Sequence, residues 1–489
     1  MSIPNNESLE AISAVKPGQD HDVLIEKLTF GGAGLGNIDG QKVFVPGAIP
    51  GQKVLVRILK NKGSYLEAKV VKVLQRAMEE IQPRCSHFYD CGGCTWQNLP
   101  YNKQIDYKEN IVRETLEHLT PVDEELRKQL PGRVLSIIPS PQVFHYRNKL
   151  ELSFGYQNMR AEEKNGKRIY FDENPSIGFH QSGNWETVLP VTECHLYDEQ
   201  IGVLLQDVNR FMQDTKLPVY NPKTHKGMLR SLLLRRGVQT GEHMIGFVVK
   251  ARKKELEPLF QHFMRFAGRS GLASLQVIEN HSVNDRPEDP VVHTLVGKPT
   301  VTERLFDLEF EISPFSFFQT NTLAAEKLYK AIADGADLSP RDTILDAYCG
   351  MGTIGQYLSR YCDKVIGVES HPTAIEDALK SAGKNRISNI TFYKGRTEQV
   401  LHNQLKHGGK YTFDAIVVDP PRPGLHPKAR EAILEHSPQK IIYVSCNTST
   451  FARDLGDFLK GGYELRSVQP VDLFPHTAHI ETVAVLQKK

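Results

Sequence analysis

The stretch Thr343-Ile-Leu-Asp-Ala-Tyr-Cys-Gly-Met-Gly-Thr-Ile-Gly355 decides the fold. Its apolar start reads as a strand, its glycines as a turn, and its end as the opening of a helix. Lys364-Val-Ile-Gly-Val-Glu369 follows as a second strand, then a helix from Pro372 to Ala382 and a third strand, Asn389-Ile-Thr-Phe-Tyr393. Phe413-Asp-Ala-Ile-Val-Val418 and Lys440-Ile-Ile-Tyr-Val444 continue the alternation, with helical stretches between them. This order predicts a doubly wound, Rossmann-like α/β domain whose ligands sit outside the carboxyl ends of the strands. Gly350 and Gly352 let the backbone approach a ligand closely, beside a helix N-terminus. Glu369, 19 residues after Gly350, can accept hydrogen bonds from both ribose hydroxyls of an adenosine cofactor. The loop has no third glycine at dinucleotide spacing and no Gly-Lys-Ser/Thr, so NAD and ATP fall behind S-adenosylmethionine, a nucleoside without phosphates. The plain alternative is a structural turn with a solvated Glu369.

Two further strand ends face the same crevice. Val418-Asp-Pro-Pro-Arg-Pro-Gly424 places Asp419 there, with Arg422 where an amino-group methyltransferase would carry an aromatic residue, which argues against an exocyclic amine as the methyl acceptor. Ile442-Tyr-Val-Ser-Cys-Asn447 places Cys446 just past its strand, flanked by polar Ser445 and Asn447, whereas Cys349 and Cys362 read as small buried hydrophobes. A thiol beside a methyl donor suits covalent activation of a pyrimidine ring. Carbon 5 of uracil is a poor nucleophile, and thiolate addition at carbon 6 turns the ring into an enolate with electron density at carbon 5. A base must then remove the carbon-5 proton so that the thiol can leave. Glu481, in Phe474-Pro-His-Thr-Ala-His-Ile-Glu-Thr482, is the best placed carboxylate, with His476 and His479 behind it; for either histidine, polar packing is an equal reading.

Cys85, Cys91 and Cys94 form a tight thiol group with Gly92-Gly93 inside it, and Cys194 is the one further cysteine before the α/β domain. Three clustered thiolates and a lone fourth favour a [4Fe–4S] cluster over zinc, which usually pairs two short-spaced thiol hairpins. An intact fourth thiol argues against radical chemistry.

The chain has 489 residues, 24% charged and 40% hydrophobic, with 60 basic against 58 acidic residues, so any attraction to nucleic acid must come from local patches. Seven cysteines are too few for a secreted disulfide scaffold. Met1 to Ser13 lack a basic-then-apolar leader, and no apolar run approaches the roughly 20 residues of a bilayer span. A cytoplasmic monomer without membrane association is expected. Residues 16–76 read as short strands punctuated by glycine, a small β-barrel carrying ten basic and five acidic residues. A helix follows from Lys103 to Leu119, and then a central α+β region with strands at Leu150–Phe154, Ser231–Arg235 and Met244–Val249 and a charged loop from Asn158 to Lys167. The expected domains are residues 16–76; residues 80–97 with 133–312; and residues 98–132 with 313–489.

With these residues assembled, the chain resembles the bacterial RNA uracil-C5 (5-methyluridine) methyltransferases, in particular the 23S rRNA enzymes, over essentially everything after residue 15. The resemblance implies that residues 16–76 form a TRAM domain, an oligonucleotide-binding-type barrel, and that Cys85-Ser-His-Phe-Tyr-Asp-Cys-Gly-Gly-Cys-Thr-Trp-Gln97 with Cys194 is an iron–sulfur motif. It implies that Gln319 of Phe317-Phe-Gln-Thr-Asn321, Tyr348, Gly350, Gly352, Thr353, Glu369 and Asp419 contact S-adenosylmethionine, that Cys446 is the nucleophile and that Glu481 is the general base. Thr353 stands where some members have Asn, and Tyr393-Lys-Gly-Arg-Thr397 lacks the amide or acid that often approaches the adenine. Residues 161–167 and 261–281 lengthen the central region, and His145-Tyr-Arg-Asn-Lys149 offers aromatic and basic RNA contacts, with core and rim of the central sheet an equal reading. The family's tRNA branch typically lacks both barrel and cluster, so carrying both points to 23S rRNA, with tRNA the alternative. RNA cytosine-C5 methylation is a near rival, but no second cysteine lies between Asp414 and Lys440. A non-catalytic, RNA-binding iron–sulfur redox sensor is the rival from another class.

Overall fold

The computed structural model describes residues 15–164, 167–284, 290–406 and 412–489; the segment Met1–Ser13 read for a leader lies outside them. No helix among the described residues is long and apolar enough to cross a membrane.

The N-terminal sheet comprises β1 (Asp20–Leu24), β2 (Lys27–Leu28), β3 (Gly34–Ile38), β4 (Gln41–Val45), β5 (Lys53–Asn61) and β6 (Tyr65–Gln75), in the order β1-β5-β6-β4-β3-β2. Alternate residues turn inward, Val54, Val56 and Ile58 from β5 meeting Val23, Val43, Val45 and Leu66. Gly36 permits closure, because a Cβ there would fall 2.6 Å from the Leu24 carbonyl oxygen.

The central sheet comprises β7 (Lys149–Lys164), β8 (Lys167–Gln181), β9 (Asn184–Pro190), β10 (Leu229–Arg236), β11 (His243–Val249), β12 (Leu272–Glu279) and β13 (Val291–Gly297), ordered β13-β12-β11-β10-β7-β8-β9. Phe211 from the helix Ile201–Thr215 and Phe263 from the helix Lys253–Phe263 pack on Phe247, the Phe263 and Phe247 rings stacked at 4.0 Å. Of the charged loop expected from Asn158 to Lys167, residues 158–164 and Lys167 belong instead to the β7–β8 hairpin, paired from Asn158↔Glu173 to Lys164↔Lys167, and residues 165 and 166 lie outside the described residues. A ladder satisfies its own backbone whatever its side chains, so a polar hairpin carries no apolar alternation to betray it.

A short hairpin of β14 (Val301–Leu305) and β15 (Leu308–Ile312) joins the helix Thr322–Ala336 in one core, Phe310 meeting Leu328 and Ile332 there. The C-terminal sheet then comprises β16 (Thr343–Ala347), β17 (Lys364–Glu369), β18 (Ile390–Lys394), β19 (Ala415–Val418), β20 (Lys440–Ser445), β21 (Tyr463–Val471) and β22 (Glu481–Lys488), ordered β18-β17-β16-β19-β20-β22-β21. The first five strands run parallel, as their separating helices require, and β22 runs antiparallel between β20 and β21. One face is covered by the helices Tyr101–Leu119 and Thr448–Lys460, the other by Thr322–Ala336. Val134 and Ile138 bridge to Val468 and Val471, so the chain borders this sheet before it enters the central one. The strand order reverses between β16 and β19, and the crevice opens there.

Candidate active site at the reversal of the C-terminal sheet

The glycine turn leaves β16 through three residues in the left-handed region, Tyr348 (φ 62°), Gly350 (φ 56°) and Gly352 (φ 73°). A Cβ on Gly352 would lie 2.7 Å from the Phe392 ring, whereas one on Gly350 would meet nothing within 4 Å. Glycine is therefore needed at 352 for packing, and open space lies over 350. The Gly350 N–H donates to Glu369 Oε2 at 3.2 Å, and the His371 N–H donates to Oε1 at 2.8 Å, which fixes that carboxylate at the rim. Asp346, buried at the end of β16, accepts from the Gly355 N–H through Oδ2 at 2.8 Å, while its buried Oδ1 has no partner. Burial, with Asp419 and Glu369 nearby, pushes this carboxyl up to about 7. Thr353 Oγ1 stands 2.7 Å from the Tyr329 hydroxyl and is already partnered within the wall. Gln319 is buried, and its main-chain carbonyl accepts from Asn148 Nδ2 at 2.8 Å.

The antiparallel β22 supplies the decisive geometry. Ser445 pairs with Thr482 at the end of this ladder, so Cys446, one residue past β20, and Glu481, the first residue of β22, emerge at the same end of the sheet, and the charge of Glu481 acts on the Cys446 thiol. Cys446 is half-buried on the turn between β20 and the helix Thr448–Lys460, which Asn447 caps by accepting from Ser449 and Thr450. Asn447 Nδ2 donates to the Arg422 carbonyl at 3.2 Å and so ties this turn to the Asp419-Pro-Pro turn. Burial raises the Cys446 thiol to about 11, Glu481 and Asp419 reinforce the rise, and Arg422 opposes it. Burial holds Glu481 well above the usual carboxylate range, with Asp419 adding to it, and burial lifts Asp419 to about 6. The Cys446 thiol and these acids thus share one desolvated crevice, the setting in which functional groups with shifted values are found.

The two histidines part company. His476 is buried, stacked on Phe144 at 4.3 Å and pushed down to about 4 by burial with Lys108 nearby, which is a packing environment. His479 is exposed at the mouth of the neighbouring cavity, which it helps to line, and its value is lowered by partial desolvation and by Arg422, Lys108 and Arg147. Sequence reading missed what holds this loop: Lys108 and Asp472, both fully buried, form an ion pair at 2.6 Å, and the Tyr101 hydroxyl donates to Asp472 at 2.9 Å. Partners this far apart in sequence leave no local signal.

Cys85, Cys91, Cys94 and Cys194 line one cavity of about 480 Å³, together with Arg147, Lys149, His195 and His479. None is in a disulfide. The Gly93 N–H donates to Cys91 Sγ at 3.4 Å and Gln97 Nε2 to Cys94 Sγ at 3.6 Å. Burial and the neighbouring thiols raise Cys94 to about 12, and burial raises Cys85 to about 11. Among the described residues, no group of three or more His, Cys, Asp or Glu side chains is drawn together as a site for a single metal ion.

Residues 295–489 match the family model for tRNA (uracil-5-)-methyltransferase, and residues 14–71 match the TRAM domain. An RNA methyltransferase of Caldanaerobacter subterraneus is 36% identical over 475 residues, spanning 96% of this chain and 99% of the relative. The chain belongs to the RNA uracil-5-methyltransferase family. A Bacteroides thetaiotaomicron RNA methyltransferase is 35% identical to this methyltransferase, over 93% of the chain and 99% of the relative. In structure the methyltransferase is similar to the Pyrococcus abyssi tRNA (uracil-54, C5)-methyltransferase in complex with S-adenosyl-L-homocysteine, with a TM-score of 0.72, 28% identity, and coverage of 95% of this chain and 100% of that one. Gln319, the glycine turn, Cys446 and Glu481 fall inside the matched catalytic region, while the four clustered cysteines lie outside both family matches.

Proposed function

We propose that this methyltransferase methylates carbon 5 of a uridine in RNA, 23S rRNA first among the candidates, with S-adenosylmethionine as donor and Cys446 as covalent nucleophile. The observation that carries the reading is the register of β20 and β22, which brings a thiol and a buried carboxyl to the same end of the sheet, in a crevice rimmed by Asp346, Glu369 and Asp419. The residues fit the donor: Asp346 Oδ1 is an unpaired buried acceptor, and the space over Gly350 is open. Gly350, Gly352, Glu369 and Asp419 would hold it, with Gln319, Tyr348 and Thr353 around them, and when bound it supplies a methyl group on a positively charged sulfur. Cys446 adds to carbon 6 of a base turned out of its stack, and the electron pair displaced from the double bond makes carbon 5 the nucleophile. After carbon 5 is methylated, Glu481 takes its proton, the C5–C6 double bond re-forms and the bond from carbon 6 to sulfur breaks.

The likeness to the P. abyssi enzyme favours tRNA as a second reading, because its 95% coverage means that barrel and central region do not by themselves separate rRNA from tRNA enzymes. Mass spectrometry of nuclease fragments from a strain lacking the gene decides. Loss of 5-methyluridine at a 23S uridine is the expected result, loss confined to tRNA selects the second reading, and unchanged 5-methyluridine in every RNA overturns both.

The four thiols are proposed to hold a [4Fe–4S] cluster. They share a cavity, and N–H donors point at two of the sulfurs, as cluster thiolates require. Protein purified without oxygen should be brown, and Cys85→Ser should lose the visible absorbance and melt at a lower temperature, since metal binding and folding are coupled. Full absorbance in Cys85→Ser would remove that residue from the ligand set.

A further inference from the structure

Glu481 opens β22 directly after a loop, residues 472–480, that is fastened by Asn321 and, along most of its length, by residues from the N-terminal half of the chain. His476 is the strained point of that loop. It lies in the left-handed region at φ 67°, which a residue bearing a side chain holds only when its surroundings over-determine it. The surroundings can be named. The His476 N–H donates to Gln104 Oε1 at 2.7 Å, and its carbonyl accepts from the Thr95 N–H at 2.8 Å and the Trp96 N–H at 3.1 Å. Its Nδ1 lies 3.1 Å from Gln104 Nε2, and the preceding Pro475 carbonyl accepts from the Tyr146 hydroxyl at 3.1 Å.

Gln104, fully buried on the helix Tyr101–Leu119, is the hub of this arrangement. Its Nε2 also reaches the Trp96 carbonyl at 3.0 Å and the Leu99 carbonyl at 2.9 Å. The amide therefore ties His476 to the end of the cysteine segment and to the start of the helix. An apolar residue of similar size would fill the same space, but only an amide can accept from one strand of chain and donate to the other.

We propose that Gln104 is a positioning residue for proton removal at carbon 5: it holds His476 in its left-handed conformation and thereby keeps Glu481 at the same end of the sheet as Cys446. The proposal rests on Glu481 being the base, and it separates Gln104 from the earlier steps. Thiol addition and methyl transfer use Cys446 and the crevice at β16 and β19, which Gln104 does not touch. Elimination needs the base within reach of one proton, so a small displacement of Glu481 falls on that step.

The test uses the full-length protein, S-adenosylmethionine labelled in its methyl group, and unmodified 23S rRNA and tRNA transcripts, taking the one the wild type methylates. In Gln104→Met, steady-state release of 5-methyluridine should fall about tenfold or more, while single-turnover methyl transfer changes less than about threefold. The stalled product is a methylated RNA still bonded through carbon 6 to Cys446, seen as label that migrates with protein on a denaturing gel. Because only folded enzyme can form that adduct, its accumulation excludes a general loss of structure. Gln104→Glu, which keeps the acceptor for the His476 N–H, should accumulate less of it. Glu481→Gln is run beside them. If Glu481→Gln traps the adduct and the Gln104 variants do not, the positioning role is wrong and the base stands. If Glu481→Gln releases product normally, the base assignment fails and takes the positioning role with it. Equal losses in methyl transfer and release for both Gln104 variants would also overturn the proposal, showing a structural residue only.

Discussion

Cys446→Ala abolishes methyl transfer to RNA, by at least about 10⁴-fold, and leaves no denaturant-stable bond between protein and RNA. Without addition at carbon 6, carbon 5 has no electron density with which to attack, and no nearby group can substitute: Cys349 and Cys362 are buried, and burial raises both thiols. The variant should still bind S-adenosylmethionine, because Gly350, Glu369 and Asp346 are untouched. In the RNA-free enzyme the Cys446 thiol sits at about 11, so at neutral pH the protonated, inert form dominates. Below that value the thiolate fraction grows about tenfold per pH unit, so kcat/KM of the wild type should climb between pH 7 and 9. The charge of Arg422 opposes the rise, so Arg422→Gln should push the thiol higher and lower kcat/KM across pH 7 to 9 without changing its slope. A non-catalytic RNA-binding sensor would lose nothing measurable in Cys446→Ala. Methyl incorporation by the purified variant therefore separates the two classes of function, and retained incorporation would dismiss the covalent route.

The sequence carries more of the sheet than of the pairing that makes the sheet useful. Alternating strand and helix from Thr343 to Val444 is legible because a parallel strand buried on both faces is a continuous apolar run and its crossover must be long. Direction is another matter. Glu481 opens β22, yet only the antiparallel insertion of that strand beside β20 brings Glu481 toward Cys446, and no local pattern states that. The same limit explains His476 and His479, whose roles separate only once Phe144, Gln104 and Lys108 are in place around them. The outer β7–β8 hairpin is hidden for a different reason: its ladder is made by the backbone, and the sequence from Asn158 to Lys167 shows charge and no apolar alternation. Cysteine spacing was informative, since Cys85, Cys91, Cys94 and the distant Cys194 do line one cavity. Gln104 gave no signal at all, because a buried amide is defined by partners on other segments, not by its neighbours in the chain.

Glu481→Gln should slow release of 5-methyluridine by about 10²- to 10⁴-fold while methyl transfer in the first turnover persists, because the amide keeps the shape of the site and cannot take a proton. The same substitution should stabilise the RNA-free protein, and the sign follows from the direction of the shift. Burial and Asp419 raise the folded-state value of Glu481 well above that of an exposed carboxyl, so the folded state holds its proton longer than the unfolded state. Whatever stability that proton confers is complete below the ordinary carboxylate range, near about pH 4, and is lost as pH rises toward the folded value. Glutamine carries no such loss. The melting temperature of Glu481→Gln should therefore exceed that of the wild type at pH 7 to 8, and the two should converge as pH falls toward 4. Asp346 and Asp419, also raised by burial, press the same way, so the crevice holds three acids whose ionisation works against the fold. A base must be desolvated to stay reactive, and that desolvation is what destabilises it, so slower product release and a higher neutral-pH melting temperature should appear together in one variant. Wild-type release by Glu481→Gln would move the base elsewhere, and a neutral-pH melting temperature at or below that of the wild type would show that the buried carboxyl is paid for by a partner the crevice does not display.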